Sequence, residues 1–248
     1  MSIRYGQVCP VAKTAEVLGE RWTLLIIREL VLGTTRFNDF QRALSQISPT
    51  LLTRRLKQLQ EAGLVVRKTM PDQRRSEYHP TAAAKELEPI ILNLGQWGMR
   101  WARGQMNDDE LDVEMLMYDL QRRIDATQLP GGRVVIKFSF RGLPKFGHWW
   151  IVIDPDGTRI LCLHNPRLPV DLELLTDLRT MTQIWTGDID IRMAKETSQL
   201  QLKGDPLLIR TISAWLRPGM FSHIRPETGP ISLEPAGVRL RKRVPAEL

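Results

Sequence analysis

The sequence predicts an α+β chain of two unlike halves, and three observations predict it. Apolar residues recur at helical spacing through the first hundred residues and then, past Pro130-Gly131-Gly132, at a spacing of two. Charge divides near the same place: residues 1 to 105 hold 16 basic and 9 acidic side chains, so the whole net charge of +7 lies there, while the rest carries 19 of each sign. With 248 residues, 42% hydrophobic and 25% charged, the chain has material for two cores and is no disordered polymer. A basic half joined to a neutral half suggests one module that binds a polyanion and one with another task.

In the first half, residues 11–18 form a short apolar-spaced helix. Residues 22–32 are hydrophobic nearly all round, as a central helix is, and stop at Gly33. Thr35 caps a helix carrying Phe37, Phe40 and Leu44. In the turn that follows, Ser48 is a good N-cap and Pro49 takes the favoured first helical position. The helix opened there spans residues 49–62 and ends at Gly63. Leu52, Leu56 and Leu59 form one stripe on it, and Thr50, Thr53, Arg54 and Lys57 share another. Strands over 64–68 and 76–79 flank a turn at 70–75, making a basic hairpin. Thr81 then opens a helix to about Arg103, with Leu87, Ile91, Leu94, Trp97 and Trp101 spaced as two heptads, the candidate dimer seam.

The polar run 104–109 is the expected boundary, giving domains of 1–105 and 106–216, and a helix is expected over 110–125. Strand alternation puts Val134, Ile136, Phe138 and Phe140 on one face. Two more strands, 148–153 and 159–164, are joined by the turn Asp154-Pro155-Asp156-Gly157. Val170, Leu172 and Leu174 mark a fourth strand, Leu178, Met181 and Trp185 a helix, and Leu200 and Leu202 a fifth strand. Asp205-Pro206 caps a last helix bearing Leu208, Ile212 and Trp215. Residues 217–248, rich in Pro and Gly and ending in the basic run Arg239 to Arg243, read as an extended basic tail.

Helix, short turn, second helix and basic hairpin over residues 35–79 are the plan of a winged helix-turn-helix, whose second helix enters the major groove of double-stranded DNA. Thr50, Thr53, Arg54 and Lys57 are then expected to meet base edges or phosphate, and Arg55, toward the edge of that face, phosphate. Arg67, Lys68, Arg74 and Arg75 on the hairpin would neutralise backbone charge. Arg36, at the start of the first helix, and Ser48, in the turn, complete the expected DNA-binding set.

Cys9-Pro10-Val11-Ala12, Gly19-Glu20-Arg21-Trp22-Thr23-Leu24-Leu25-Ile26, Arg36-Phe37-Asn38-Asp39-Phe40, Ile47-Ser48-Pro49 with Leu52, Arg55, Leu56 and Leu59, Glu61-Ala62-Gly63-Leu64-Val65, and Glu77-Tyr78 resemble the HxlR family of bacterial transcriptional regulators. The resemblance covers about residues 7 to 103. It implies a homodimeric winged helix-turn-helix DNA binder with terminal helices packing two subunits together. His79-Pro80-Thr81 and Ala84 depart from the family's usual Leu-Thr and later Gly, so the start of the dimer helix is left open. In some members an N-terminal cysteine senses oxidants or electrophiles, which makes Cys9 a candidate redox sensor, with Arg4 or Lys13 at hand to favour a thiolate. The alternative is a small buried residue ahead of Pro10.

The order of elements in the second half, with Leu200-Gln201-Leu202-Lys203-Gly204-Asp205 and Trp185-Thr186-Gly187-Asp188-Ile189-Asp190, is similar to the sterol carrier protein fold, an α/β sandwich that holds lipids in an apolar tunnel. This implies a small apolar ligand, with Ile136, Phe138, Trp149, Ile151, Trp185, Ile212 and Trp215 as candidate pocket residues. Such residues at these spacings equally make a plain core. Lys195 and Glu196, where the family is apolar, and Ser198, where it has Gly, depart from the pattern.

Cys162 and His164 share a strand face but are too few to argue for a metal. No phosphate loop, nucleophile elbow or zinc-protease helix is present in the sequence, so neither catalysis nor a cofactor is expected. Two cysteines make no disulfide framework, the N-terminus has no secretory apolar stretch, and no apolar run approaches a membrane span, so a cytoplasmic protein without membrane contact is expected. The leading reading is a dimeric, sequence-specific transcriptional regulator with an apolar effector in the second domain. The alternative is a lipid or sterol carrier whose helix-turn-helix serves dimerisation only.

Overall fold

A computed structural model of the chain describes residues 4–70, 75–103 and 108–227. The first half is built from α1 (Pro10–Leu18), α2 (Thr23–Val31), α3 (Phe37–Ala43), α4 (Pro49–Glu61) and the antiparallel hairpin of β1 (Val65–Met70) and β2 (Arg75–Pro80). Ile26, Ile27, Leu30, Phe40, Leu52, Leu56 and Tyr78 make its core. The central helix starts one residue later than the apolar run, because Trp22 takes a left-handed backbone (φ 77°). Gly33 stops it, with φ 89°, a conformation that glycine adopts at little cost.

The long helix expected from Thr81 is instead α5 (Ala82–Lys85), capped by the Thr81 hydroxyl, then α6 (Glu88–Trp97) and one π turn over Gly98–Ala102. Pro89 explains the break. It has no N–H to give the carbonyl of Lys85, and its ring crowds that position, so the helix must restart around it.

In the second half, α7 (Val113–Arg123) is followed by β3 (Val134–Arg141), β4 (His148–Ile153), β5 (Arg159–Cys162), β6 (Leu172–Asp177), α8 (Leu178–Thr186), α9 (Ile191–Glu196), β7 (Gln201–Gly204), α10 (Pro206–Arg210) and α11 (Ile212–Trp215). The five strands lie in the order β5-β4-β3-β6-β7, with β3 and β6 parallel and every other pair antiparallel. Val134, Ile136, Phe138 and Phe140 do share a face, and pack with residues of α7, α8, α9 and the last two helices. Several details differ from the expectation, among them that α7 starts at Val113 rather than near residue 110 and that β6 starts at Leu172 and leaves Val170 out. α9 had no strong apolar period to announce it, β5 ends at Cys162 rather than His164, and the last helix breaks at Thr211.

α7 joins the halves. Leu116, Met117 and Leu120 enter the second core, whereas Tyr118 enters the first. Next to Tyr118, the carboxylate of Glu29 on α2 is fully buried. It accepts from Arg28 Nε (3.0 Å) and Nη2 (2.8 Å), from Thr34 Oγ1 (3.1 Å) and, across the junction, from Arg122 Nη1 (2.8 Å). Arg122 also donates to Asp119, which in turn accepts from Arg123 and from the Trp185 indole at 2.6 Å. Burial alone would raise the Asp119 carboxyl, but Arg123, the indole N–H and Arg122 outweigh it and hold the group below its ordinary value.

Residues 217–227, expected as part of a loose tail, are packed back over both halves. Gly219 N–H donates to the Trp185 carbonyl (2.7 Å), Arg225 Nη1 to the Gly187 carbonyl (2.9 Å), and Glu227 N–H to the Arg100 carbonyl (2.9 Å). The Phe221 ring lies directly on Gly95 of α6, where a Cβ would come within 2.2 Å of it. Residues 228–248, including the basic run Arg239 to Arg243, lie outside the described residues.

Because the folded Asp119 carboxyl is depressed, its contribution is complete above the unfolded pKa of about 3.9 and fades as pH falls through the lower folded value. Asp119→Asn is expected to lower Tm at pH 6 by at least about 3 °C, on the scale of about 1 kcal/mol for a chain of this size. The gap should narrow below about pH 4. Thermal melts across pH 3 to 7 check this, and a gap that widens on acidification contradicts it.

Candidate nucleic-acid interface

The turn between α3 and α4 is fixed by chemistry legible in the sequence. Ser48 Oγ accepts from the Leu51 N–H (3.3 Å), and Pro49 takes the first helical position, so α4 starts at a defined angle to α3. Leu52, Leu56 and Leu59 bury one face of α4. The opposite face presents Thr50, Thr53, Arg54 and Lys57 to solvent. Thr53 Oγ1 donates back to the Pro49 carbonyl (2.9 Å), which leaves its methyl and lone pairs outward. Lys57 has only a loose partner in Glu61 at 3.7 Å, and among the described residues no carboxylate pairs with Arg54.

Arg55 is the exception to the expected set. It was expected at the phosphate edge, but its side chain is only 6% exposed. Nη2 donates to Glu20 (2.6 Å), Nε to the Arg21 carbonyl (3.0 Å) and Nη1 to Gln58 (2.7 Å), tying α4 to the α1–α2 connection. The signal was available, since positions 52, 55, 56 and 59 are one helical stripe, which places Arg55 with the leucines.

The hairpin lies beside this face. Its base is locked to α3 by the Tyr78 N–H donating to the Thr35 carbonyl (2.8 Å) and by Arg36, exposed and 3.8 Å from Glu77. Arg67 and Lys68 are exposed on β1. Arg75 belongs to β2, its side chain not being among those described, and Arg74 lies outside the described residues.

The expected dimer seam divides. Leu87 and Ile91 are half-buried against the first core, Trp101 is half-buried in the π turn, and Leu94 and Trp97 are 48% and 53% exposed. Ile90, also exposed, completes an apolar stripe with them at i, i+4 and i+7. Cys9 is exposed at the start of α1, which removes the reading of a buried residue ahead of Pro10. In the second half, Ile136, Phe138, Trp149, Ile151, Ile212 and Trp215 are all buried in one core, where the Trp215 indole donates to the Leu208 carbonyl (3.1 Å). Trp185 is half-buried, packs on the edge of that core and also lines the junction. Lys195 and Glu196 are exposed at the end of α9 and take up none of the interior.

Cys162 is half-buried, its thiol pushed up by burial, and His164 is exposed beyond the strand. Among the described residues no group of three or more His, Cys, Asp and Glu side chains is placed to hold a metal ion, and no helix is long and apolar enough to cross a membrane.

A capped turn, a helix buried on its leucine face, a polar and basic outer face and a flanking basic hairpin define a winged helix-turn-helix. The pattern of HxlR-like helix-turn-helix proteins matches residues 17–106. The HTH-type transcriptional regulator YvaP of Bacillus subtilis is 35% identical over 98 residues, which cover 39% of this chain and 91% of YvaP. YdeP of the same organism is 32% identical over 96 residues, covering 38% of this chain and 73% of its own. Among solved structures, the reduced form of the regulator YodB from B. subtilis is 30% identical, covering 37% of this chain and 92% of that one, with a TM-score of 0.34. The chain belongs to the HxlR-like helix-turn-helix family, and it is a DNA-binding transcriptional regulator.

Neighbouring arginines therefore have opposite expected behaviour. Arg55→Ala removes charged hydrogen bonds worth about 1.5–3 kcal/mol apiece at most and should lower Tm clearly. Arg54→Ala should leave Tm unchanged and weaken DNA binding. Melting curves and mobility shifts of the two variants decide it; a stable Arg55→Ala variant would show that its buried contacts are dispensable.

Proposed function

We propose that the regulator binds an inverted-repeat DNA site as a homodimer, with α4 in the major groove and the β1–β2 hairpin on the phosphates. The observation that carries this is the contrast between the two faces of α4, one closed by leucines and Arg55, the other open with Thr50, Thr53, Arg54 and Lys57. The stripe of Ile90, Leu94 and Trp97 supports a second copy as the partner, since three large apolar side chains are left at the surface of one short helix. Two recognition helices on one side of the duplex would set half-sites about 34 Å apart.

The second domain is proposed to be sterol-carrier-like and to serve as the regulatory half, answering to a small apolar effector. Its order of helix, three antiparallel strands, a fourth strand parallel to the first, helices and an edge strand supports that likeness. A carrier role alone is less well supported, because lipid transfer has no use for a surplus of seven positive charges confined to the first half. The exposed Cys9 leaves oxidation as a second input to the same dimer. No catalytic role is proposed.

Selection of bound fragments from genomic DNA should return a palindromic site. On that site Arg54→Ala is expected to cost about 1–3 kcal/mol and relax specificity, while Arg67→Ala should weaken all sequences alike and reduce the salt slope by about one. Binding no stronger than to random DNA would overturn the reading.

A further inference from the structure

The two halves do not meet flush. Between them α2, α3, α6, α7, α8 and residues 219–222 enclose a cavity of about 260 Å³. Its apolar wall is supplied by Leu32, Met99, Met115, Trp185, Met220 and Phe221. Three methionines among these give a surface that can adapt to a guest. Just past the end of α6 the wall has no side chain at Gly98, so the guest space reaches the backbone there, while Gly95 is covered by the Phe221 ring.

One edge of the cavity is charged. Arg28, Arg122 and Arg123 stand there around Glu29 and Asp119, a surplus of one positive charge. The carboxylates are fully used. Glu29 accepts four hydrogen bonds, and Asp119 accepts from Arg122, Arg123 and the Trp185 indole. The guanidinium groups are not, for each has more N–H groups than the one or two it gives these carboxylates. Their side chains are 19% to 33% exposed and line the cavity, so none of the three is fully closed off by its carboxylate partner. A guest with an apolar body and one negative charge would satisfy both wall and edge, whereas a cation would be repelled and a neutral molecule would leave the extra charge unbalanced. The volume lies slightly below the range of about 300–1,000 Å³ typical of drug-sized ligands, so the guest is small.

We propose that this junction cavity binds a small monocarboxylate with an apolar body, the carboxylate on the Arg28–Arg122–Arg123 edge, and that it is the effector site of the regulator. This rests on the reading above that the second domain answers to an apolar effector, but moves the site out of the sheet–helix core to the contact between halves. The position suits the task. The cavity touches Gly95, Gly98 and Met99 beside the stripe of Ile90, Leu94 and Trp97, and Ala43 on the helix that precedes α4. A guest that fits one junction geometry better than another shifts the protein toward it, by no more than that difference in affinity.

Titration calorimetry of the full chain with 3-phenylpropanoate and octanoate, each against its primary amide, tests the chemistry. At least one acid should bind at least about tenfold more tightly than its amide, equivalent to about 1.4 kcal/mol. Gly98→Leu tests the place: a Cβ at Gly98 meets no atom within 4 Å, and the backbone there is helical (φ −60°), so the added side chain should fill the space without unfolding the protein. It should weaken the acid at least about tenfold with little change in Tm; Met115→Phe serves if Gly98→Leu does not fold. Neither acid binding at millimolar concentration, equal binding of acid and amide, or unchanged binding to a folded cavity-filled variant would each overturn the proposal. Mobility shifts with the operator separate the two readings. Binding abolished by Gly98→Leu but without effect on DNA affinity keeps the site and removes its regulatory role; an effect on DNA affinity that survives Gly98→Leu keeps the effector reading and removes this site.

Discussion

The buried carboxylate of Glu29 is the constraint around which the two halves are arranged. A carboxylate at zero exposure is tolerable only when paired and fully hydrogen-bonded, and one of its partners, Arg122, lies 93 residues away on α7. Separation of the halves would expose Tyr118 and strip Glu29 of Arg122, which would keep only Asp119 on its own helix as a partner. The cost of doing so falls on both domains at once, so the second domain is a structural part of the DNA-binding half and not a passenger on a linker. The guanidinium of Arg122 also lies 4.7 Å over the ring of Tyr118, one turn back on α7, which helps to hold it toward Glu29.

The DNA-binding device itself depends on a similar separation of labour within one helix. α4 uses leucines for packing, Arg55 for anchorage to the α1–α2 connection, and a third set of side chains for the outside. Anchoring an arginine inside holds the helix axis in place relative to α2, and thereby to the junction that α2 shares with Arg122. A continuous path of packed and hydrogen-bonded groups thus runs from the second domain through α2 to the exposed face of α4.

Much of this was legible in the residues. Ser48-Pro49, the leucine stripe and Gly63 marked α4 nearly to the residue, and the period-two run from Val134 marked the central strand of the sheet. The misses have physical causes. Arg55 was read by charge rather than by its place on the stripe. The helix from Thr81 was read by heptad spacing, although Pro89 forbids its continuity. α9 is six residues long with two buried positions, too short to show a period. The packed course of residues 217–227 was hidden because composition rich in Pro and Gly describes a chain without regular structure, not one without partners. The junction itself could not be read, since only the meeting of the two halves brings Glu29 to Arg122, although Asp119, Arg122 and Arg123 already share a helix face at i, i+3 and i+4.

Joined at Glu29 and Arg122, the two halves should unfold as one body. Scanning calorimetry of the full chain tests it most directly. A single cooperative transition that includes both halves is expected, dividing into two on Arg122→Met, which leaves the Glu29 carboxylate without its partner across the seam. Two independent transitions in the unaltered protein, or a single transition indifferent to Arg122→Met, would contradict it.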